Sequence, residues 1–371
     1  MKRLALSILV LISVLLIASG ARAQSSRPAW KGEWDKTIEA ARQEGKVVVS
    51  LPASAELRKM IEEVFKPRFG LEVELVVSRG GAIVRRMADE WKAGVRHFDI
   101  HIGGSSSAVS GLLAEGVLDP IEPYFLLPEV REPKSWWGGH MWVDRAGRYI
   151  YTFQAYLTEG IWYNATLMKP EEVRSYDDLL DPKWKGKIGF LDPRTPGAGD
   201  STWGYLWKIK GEDYLKRLVG QRLLISRDQR LLADNLAKGR VSLVVGLTHY
   251  TLLPFIKAGL PVKPLPTPKE GAYATGGSGN LTIVKNPPHP NATKLFVNWL
   301  LSKEGQELFV KAMGQGTRRL DVETRWLTEI GVIAAKDQLT LEQYREWENQ
   351  SEERLETVRG PASEVARKLM D

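Results

Sequence analysis

Hydrophobic residues change their spacing repeatedly along the chain, and each change marks a predicted strand or helix. Residues 47–49 form a continuous apolar run of three valines, as in a buried strand. Residues 57–65 then place apolar side chains at helical spacing, and Gly70 ends that helix. Residues 73–77 alternate as a strand, and residues 98–102 form another strand after a further helix. Strands and helices in alternation predict an α/β fold built on parallel sheets.

The middle of the chain repeats this alternation as far as residue 284. Only the stretch Pro254–Pro268 interrupts it, because its prolines predict irregular structure. After residue 325 the spacing is helical, and Thr340 with Gln343 forms a capping-box pattern. The predicted elements are strands at 188–191, 241–245 and 281–284, and helices at 200–209, 231–236 and 295–300.

The N-terminus has the three parts of a secretory signal peptide. Lys2 and Arg3 precede an apolar run from Leu4 to Ile17, and small residues lead to Ala21-Arg22-Ala23. The apolar run is shorter than the roughly 20 residues of a membrane-spanning helix. We therefore expect residues 1–23 to be a signal peptide that is cleaved after Ala23, which gives a periplasmic protein.

Composition narrows the possible functions. Removal of 23 residues from 371 leaves 348, enough for two domains of about 100–200 residues each. Loss of three basic residues reduces the net charge from +7 to +4, and no basic cluster is interleaved with aromatic residues, so we expect no nucleic-acid partner. With no cysteine, the chain has no disulfide, thiolate metal site or nucleophilic thiol.

Three stretches resemble family 1 extracellular solute-binding proteins of ABC importers, particularly the ferric-iron-type branch. They read VVSRGGAIVRRMADEWKAGVRHFDIHIGG at 76–104, IWYNATLMKPEEVRSYDDLLDPKWKGKIGFLDP at 161–193 and VNWLLSKEGQELFVKAMG at 297–314. Their order and spacing match the family over about residues 34–320. The resemblance implies a ligand carrier, most simply a monomer, that delivers a small solute to an ABC permease and its ATPase.

The same resemblance implies a type II-like, two-lobed fold. Each lobe is a central sheet flanked by helices, and crossing strands join the lobes near residues 149–163 and 264–279. The predicted first lobe combines 30–148 with 275–325, and the second lobe is 149–274. The remaining residues, 326–371, are expected to be C-terminal helices that pack on the lobes.

Ligands of open α/β sheets lie beyond the carboxyl ends of the strands, so the loops after strands supply the candidate ligand-binding residues. Small and hydroxyl residues there can bind an anion through backbone N–H groups, and an arginine can add a charge-assisted bond. Ordinary helix capping is the alternative at each loop. The candidates in these loops are Ser78, Arg79, Gly80, Ser105, Ser106, Gly199, Ser201, Thr202, His249 and Tyr250. Tyr163 is a further candidate, as an aromatic residue that could line the cleft, and core packing is its alternative.

Two positions bear on the choice between an anion and a metal ion. His249 and Tyr250 stand where iron-binding members of the family have two tyrosines, so these two residues are the candidate metal ligands if the cargo is Fe³⁺. Asp200 would repel an anion unless it only caps its helix.

His97, Asp99 and His101 form an H-x-D-x-H pattern that a strand would point to one face, although a fourth ligand is lacking nearby.

The sequence leaves the ligand open between a ferric species and a small anion such as a carboxylate or phosphonate. No cofactor is expected apart from Fe³⁺ as cargo. Catalysis is not expected, since G-x-S-x-G, H-E-x-x-H and P-loop motifs are missing. A secreted hydrolase and a ligand-sensing partner of a receptor remain as alternatives.

Overall fold

A computed structural model describes residues 28–77, 80–157 and 160–371. The expected signal peptide therefore lies outside the described residues. The strands are β1 (Lys46–Leu51), β2 (Glu72–Val77), β3 (Ile100–Gly103), β4 (Leu118–Asp119), β5 (Tyr151–Thr152), β6 (Tyr156–Leu157), β7 (Ile161–Asn164), β8 (Ile188–Leu191), β9 (Leu224–Ser226), β10 (Leu243–Val245), β11 (Val262–Pro264), β12 (Ala274–Thr275), β13 (Asn280–Val284) and β14 (Ile333–Ala334).

The α-helices alternate with these strands in the first two thirds of the chain and dominate its end. They are α1 (Ala29–Glu44), α2 (Ala55–Phe69), α3 (Gly80–Lys92), α4 (Ser105–Ala108), α5 (Pro128–Arg131), α6 (Ala198–Val219), α7 (Gln229–Ala237), α8 (His249–Lys257), α9 (Pro290–Leu301), α10 (Lys303–Met313), α11 (Ala335–Gln338), α12 (Leu341–Trp347), α13 (Glu352–Arg354) and α14 (Gly360–Met370).

The first lobe is built on a sheet with the strand order β2-β1-β3-β13-β4, and β5 also pairs with β13. Strands β1, β2 and β3 are parallel, whereas β13 runs antiparallel to β3. The valines of β1 are buried on both faces of this sheet, with Val47 and Val49 in one apolar cluster and Val48 in the other. This double burial explains why β1 is a continuous apolar run.

The second lobe is built on a sheet with the strand order β11-β7-β10-β8-β9. Strands β8, β9 and β10 are parallel, and β7 and β11 form an antiparallel margin. Apolar clusters cover both faces of this sheet as well. A small third sheet, β12-β6-β14, lies where the chain passes between the lobes.

The end of the chain is helical, as predicted. The capping box at the start of α12 is confirmed, because Thr340 Oγ1 accepts from Gln343 N–H at 3.1 Å and the Gln343 side chain accepts from Thr340 N–H at 2.9 Å. Within the part of the chain that the structure describes, none of the helices has the length and apolar character required to cross a membrane.

The prediction of irregular structure from Pro254 to Pro268 is wrong over residues 254–257, which are helical, and over residues 262–264, which form a strand. Pro254 lies inside α8, and β11 follows at Val262–Pro264. A proline removes one hydrogen bond from a helix interior, but buried Leu252 and the partly buried Phe255 pack α8 against the second lobe. Packing of these side chains outweighs the local preference.

Candidate functional site

The carboxyl ends of the parallel strands mark the candidate cleft in each lobe. In the first lobe, β1, β2 and β3 end at Leu51, Val77 and Gly103. In the second lobe, β8 and β10 end at Leu191 and Val245, and the loops after them lead into α6 and α8. The predicted ligand residues are distributed over these loops, with the exception of Tyr163.

Two of the first-lobe candidates, Ser78 and Arg79, lie outside the described residues, and Gly80 begins α3. Ser105 and Ser106 begin the short helix α4, and Ser105 is buried. The Ser106 carbonyl accepts from the Ser110 hydroxyl at 2.8 Å. This serine-rich turn is therefore tied to its own backbone at the carboxyl end of β3.

The first turn of α6 contains Gly199, Ser201 and Thr202. Ser201 Oγ donates to the Gly197 carbonyl at 3.0 Å, and Thr202 Oγ1 donates to the Ala198 carbonyl at 2.9 Å. Both hydroxyls thus bond back into their own helix. A Cβ atom on Gly199 would lie 2.1 Å from the Leu191 carbonyl oxygen, so the helix start sits directly on the end of β8.

Substitution of Gly199 by alanine should push α6 away from β8. We expect a loss of about 1–3 kcal/mol in the free energy of unfolding, since the added methyl group meets rigid backbone. Urea unfolding followed by tryptophan fluorescence measures it. Gly104→Ala, where a Cβ meets nothing within 4 Å, is the matched control. Equal losses in the two variants would contradict the close approach at Gly199.

Asp200 does not cap α6, contrary to one of the two roles considered for it. Its side chain is buried and accepts from Arg359 Nε at 3.0 Å and from Arg359 Nη2. Burial raises the pKa of Asp200 above its ordinary value, and the charge of Arg359 opposes that rise. The carboxylate that was expected to repel an anion is therefore neutralised by an arginine from the C-terminal helices.

His249 and Tyr250 form the first turn of α8, which faces the first lobe. His249 is buried, its ring lies 6.0 Å from that of Trp162, and its Nδ1 has no hydrogen-bond partner within the described structure. Burial lowers the pKa of His249 to about 4, so the imidazole is neutral at pH 7. Gly314, which follows α10, packs against the same ring, where a Cβ would lie 2.6 Å from it.

Two further contacts show that the lobes meet along α8. The half-buried side chain of Tyr250 packs against the main apolar cluster of the first lobe. Lys257, at the end of α8, forms an ion pair of 2.5 Å with Glu56 at the start of α2. His249 and Tyr250 thus lie at the side of the second lobe that meets the first, and because Arg79 lies outside the described residues, their meeting with Arg79 across the cleft stays a prediction.

Tyr163 is the candidate that the structure removes from the cleft. Strand β7 runs antiparallel to β10, so Ile161 pairs with Val245 at the carboxyl end and Tyr163 pairs with Leu243 at the other end. The Tyr163 side chain is buried in an apolar cluster of the second lobe. The prediction failed because an aromatic side chain suits an apolar core as well as the lining of a cleft.

A glycine-rich turn between β12 and β13 brings polar side chains together at the floor of the cleft. Cβ atoms on Gly277 and Gly279 would lie 2.1 Å from Tyr156 Oη and 2.4 Å from Gln154 Oε1. Asn280 Nδ2 donates to the Gly103 carbonyl at 3.0 Å. Gln154 Oε1 and Asn280 Oδ1 are buried acceptors without a partner among the described residues. Sequence reasoning missed both residues.

A second group that sequence reasoning missed lies at the carboxyl end of β8. Asp192 is buried and accepts from Arg194 Nε at 2.9 Å and from Arg227 Nε at 3.1 Å. Burial works to raise the pKa of Asp192, but the hydrogen bonds from the two arginines hold it below its ordinary value. Arg227 directly follows β9, and its side chain is 62% exposed.

The three residues of the H-x-D-x-H pattern each bind other groups of the protein, and His101 Nδ1 lies 3.0 Å from Ser50 Oγ. His97 precedes β3 and pairs with Glu74 at 3.2 Å, while Asp99 accepts from Val48 N–H at 2.8 Å and from His289 Nδ1 at 2.9 Å. Over residues 28–77, 80–157 and 160–371, no three His, Cys, Asp or Glu side chains are grouped to hold a metal ion.

The sequence and the fold were both compared with those of known proteins. Residues 50–307 match the bacterial extracellular solute-binding proteins. An uncharacterized protein of Haemophilus influenzae is 25% identical over 279 residues, which cover 72% of this chain and 76% of that protein. Iron-bound HitA from Pseudomonas aeruginosa has a TM-score of 0.64 at 19% identity, covering 88% of this chain and 99% of HitA.

A further solved structure, AfuA from Actinobacillus pleuropneumoniae with exogenous fructose-6-phosphate bound, has a TM-score of 0.64 at 20% identity, covering 87% of this chain and 99% of AfuA. These structural likenesses confirm the predicted α/β, two-lobed fold of periplasmic binding proteins. Because the family match spans well over half of the sequence, the chain belongs to the bacterial extracellular solute-binding proteins.

Proposed function

We propose that this protein is the periplasmic solute-binding component of an ABC importer. It captures one small ligand per chain between two closing lobes and presents the closed form to the permease, whose ATPase drives uptake. The observation that supports this is the meeting of the carboxyl-end loops of both sheets along α8, with Tyr250 packed on the opposite lobe. Family membership supports binding rather than catalysis.

Closure provides the mechanism of capture. A ligand that contacts both lobes binds the closed state more tightly than the open one, so it shifts the population toward closure. The ion pair between Lys257 and Glu56 adds only a small bias, because both side chains are at least one-third exposed. We infer that ligand contacts supply most of the free energy that holds the lobes together.

The ligand that the charges favour is an anion. Asp192 and Asp200, the two buried carboxylates near the start of α6, are both paired with arginines. They are therefore not free to bind a hard cation such as Fe³⁺, which prefers anionic oxygen ligands. The exposed guanidinium of Arg227 instead offers donors suited to a carboxylate, a phosphonate or a phosphate.

Iron is the second candidate, and His249 with Tyr250 is the observation that favours it. The unpartnered Nδ1 of His249 is neutral, and a neutral imidazole nitrogen can ligate a transition metal. Similar structures hold iron in one case and a sugar phosphate in another. A ferric complex with an organic anion would use Arg227 for the anion and His249 with Tyr250 for the iron.

Native mass spectrometry of the protein from a periplasmic extract tests these proposals together. We expect a monomer whose chain begins at Gln24 and carries one bound small molecule. Arg79→Ala should weaken binding of an anionic ligand by about 1.5–3 kcal/mol, the scale of a charge-assisted hydrogen bond. Tyr250→Phe should leave such a ligand bound but should abolish binding and colour of bare Fe³⁺, because it removes the phenolate oxygen.

Arg68→Ala, in a surface ion pair with Glu304, and Tyr149→Phe, in the first lobe away from α8, are the matched controls. A less than twofold change in affinity with both Arg79→Ala and Tyr250→Phe would contradict the site assignment. Multiple turnovers of the bound compound would overturn the binding role in favour of a secreted hydrolase. Binding without transport by a neighbouring permease would favour a sensor.

A further inference from the structure

The C-terminal segment 348–362, named here the C-terminal strap, contacts the first lobe through Glu352 and Glu356. Glu352 N–H donates to the Val143 carbonyl at 2.9 Å, and Glu352 Oε2 accepts from Arg145 N–H at 2.7 Å. Arg145 Nη1 also donates to Glu356 Oε1 at 3.0 Å. Val143 belongs to a first-lobe apolar cluster, so these contacts fix the strap to that lobe.

The strap also crosses the strands that join the lobes. The Gln350 side chain accepts from Gly276 N–H at 2.6 Å and donates to Thr152 Oγ1 at 3.3 Å. Asn349 N–H donates to the Ala274 carbonyl at 3.2 Å. Gln350 and Asn349 are both buried, so these bonds are shielded from water.

The strap is fixed to the second lobe at the start of α6 by residues from both of its ends. Arg359 pairs with Asp200, and both side chains are less than one-tenth exposed. Asn349 Nδ2 donates to the Ser201 carbonyl at 3.1 Å, and Trp203 Nε1 donates to the Ala362 carbonyl at 2.8 Å. The same helical turn that contains candidate ligand residues is therefore bound by the strap.

From the first-lobe contact at Glu352 to the second-lobe contacts at Arg359 and Ala362 the backbone is continuously helical. Helix α13 passes into a π-helical turn, Leu355–Arg359, and then into α14. A continuous helix transmits displacement from one end to the other, since its backbone hydrogen bonds resist stretching. A change in the angle between the lobes must therefore break contacts at one anchor or move both lobes with the strap.

We propose that the C-terminal strap is a third mechanical connection between the lobes, which sets their relative orientation and positions the start of α6 against the first lobe. This role goes beyond ligand capture and does not depend on which ligand is bound. Loss of either anchor should release the same motion, although the anchors lie on different lobes.

Distances between spin labels test the strap in the full-length protein without ligand. The chain has no cysteine, so Lys59→Cys in α2 and Lys238→Cys after α7 provide two unique labelling sites. Their side chains are 66% and 58% exposed. We expect Glu352→Ala/Glu356→Ala and Arg359→Met to shift the mean inter-lobe distance in the same direction and to broaden its distribution.

The control is Glu353→Ala/Glu364→Ala, which removes the same charge from the same helical segment without touching an anchor. A distance distribution unchanged by Glu352→Ala/Glu356→Ala, in a folded protein, would overturn the proposal and leave Arg359 a local role in α6. If Arg359→Met does not fold, the Glu352→Ala/Glu356→Ala variant still tests the proposal, since the two carboxylates are solvent-accessible and their loss leaves the core intact. Because the distances are measured without ligand, a protein that binds no solute would give the same result. Failure of the proposed function can therefore be distinguished from failure of this proposal.

Discussion

Replacement of Arg359 by methionine is expected to lower the free energy of unfolding by about 3–5 kcal/mol, because it leaves the carboxylate of Asp200 buried without a partner. Urea unfolding at about pH 8, followed by tryptophan fluorescence, measures the loss. As the pH falls toward about 5 the loss should shrink. Burial raises the pKa of Asp200, so protonation in the folded state removes the unpaired charge.

Arg367→Met is the matched control, since Arg367 lies in the same helix and pairs with the exposed Glu364. It should change the free energy of unfolding by less than about 1 kcal/mol. Adding Asp200→Asn to Arg359→Met should recover part of the loss, because the amide carries no charge. A loss below about 1 kcal/mol for Arg359→Met would contradict a stabilising buried pair.

Replacement of Asp99 by alanine is expected to lower the free energy of unfolding by about 2–6 kcal/mol, because two backbone donors lose their acceptor at about 1–3 kcal/mol each. These donors are Val48 N–H at 2.8 Å and His289 N–H at 2.9 Å. Through the Asp99 carboxylate, these two hydrogen bonds join β1 to the start of α9. Thermal and urea unfolding of the variant measure the loss.

His97→Ala tests the same sequence pattern at a partly exposed position and should cost less than about 1 kcal/mol. If the pattern were a metal site, both substitutions would abolish metal binding and a chelator would destabilise the parent protein. Similar losses for the two variants would count against the structural role assigned to Asp99.

Much of the fold could be predicted from the sequence because central strands such as β1 and β13 are buried on both faces. A run such as Val47–Val49 has few alternatives, and the helical spacing of residues 57–65 is equally distinct. Strand direction was not predictable in the same way, since an apolar strand reads alike in either direction. β7 is an example, because it runs antiparallel to β10 and so carries Tyr163 away from the carboxyl end of that strand.

The site was predictable only in part. The loops after β3, β8 and β10 could be found because ligand loops follow parallel strands. Arg359 could not be found, because it lies 159 residues after its partner Asp200 and nothing in the local sequence distinguishes it from surface arginines. Gln154 and Asn280 could not be found from the sequence either. Both were singled out because their buried side-chain oxygens have no hydrogen-bond partner among the described residues, and only the structure shows that.

The central position of β13 has a consequence for the order of assembly. Within the first sheet, β4 pairs with β13, and β13 also pairs with β3, so residue 283 must reach residue 100 before the sheet is complete. The second sheet takes all its strands from 161–264 and is finished within one continuous stretch. A chain that emerges from a translocation channel N-terminus first therefore delivers every strand of the second lobe before the last strand of the first. Until then β3 keeps an unpaired edge, the kind of edge that favours aggregation in partly folded chains.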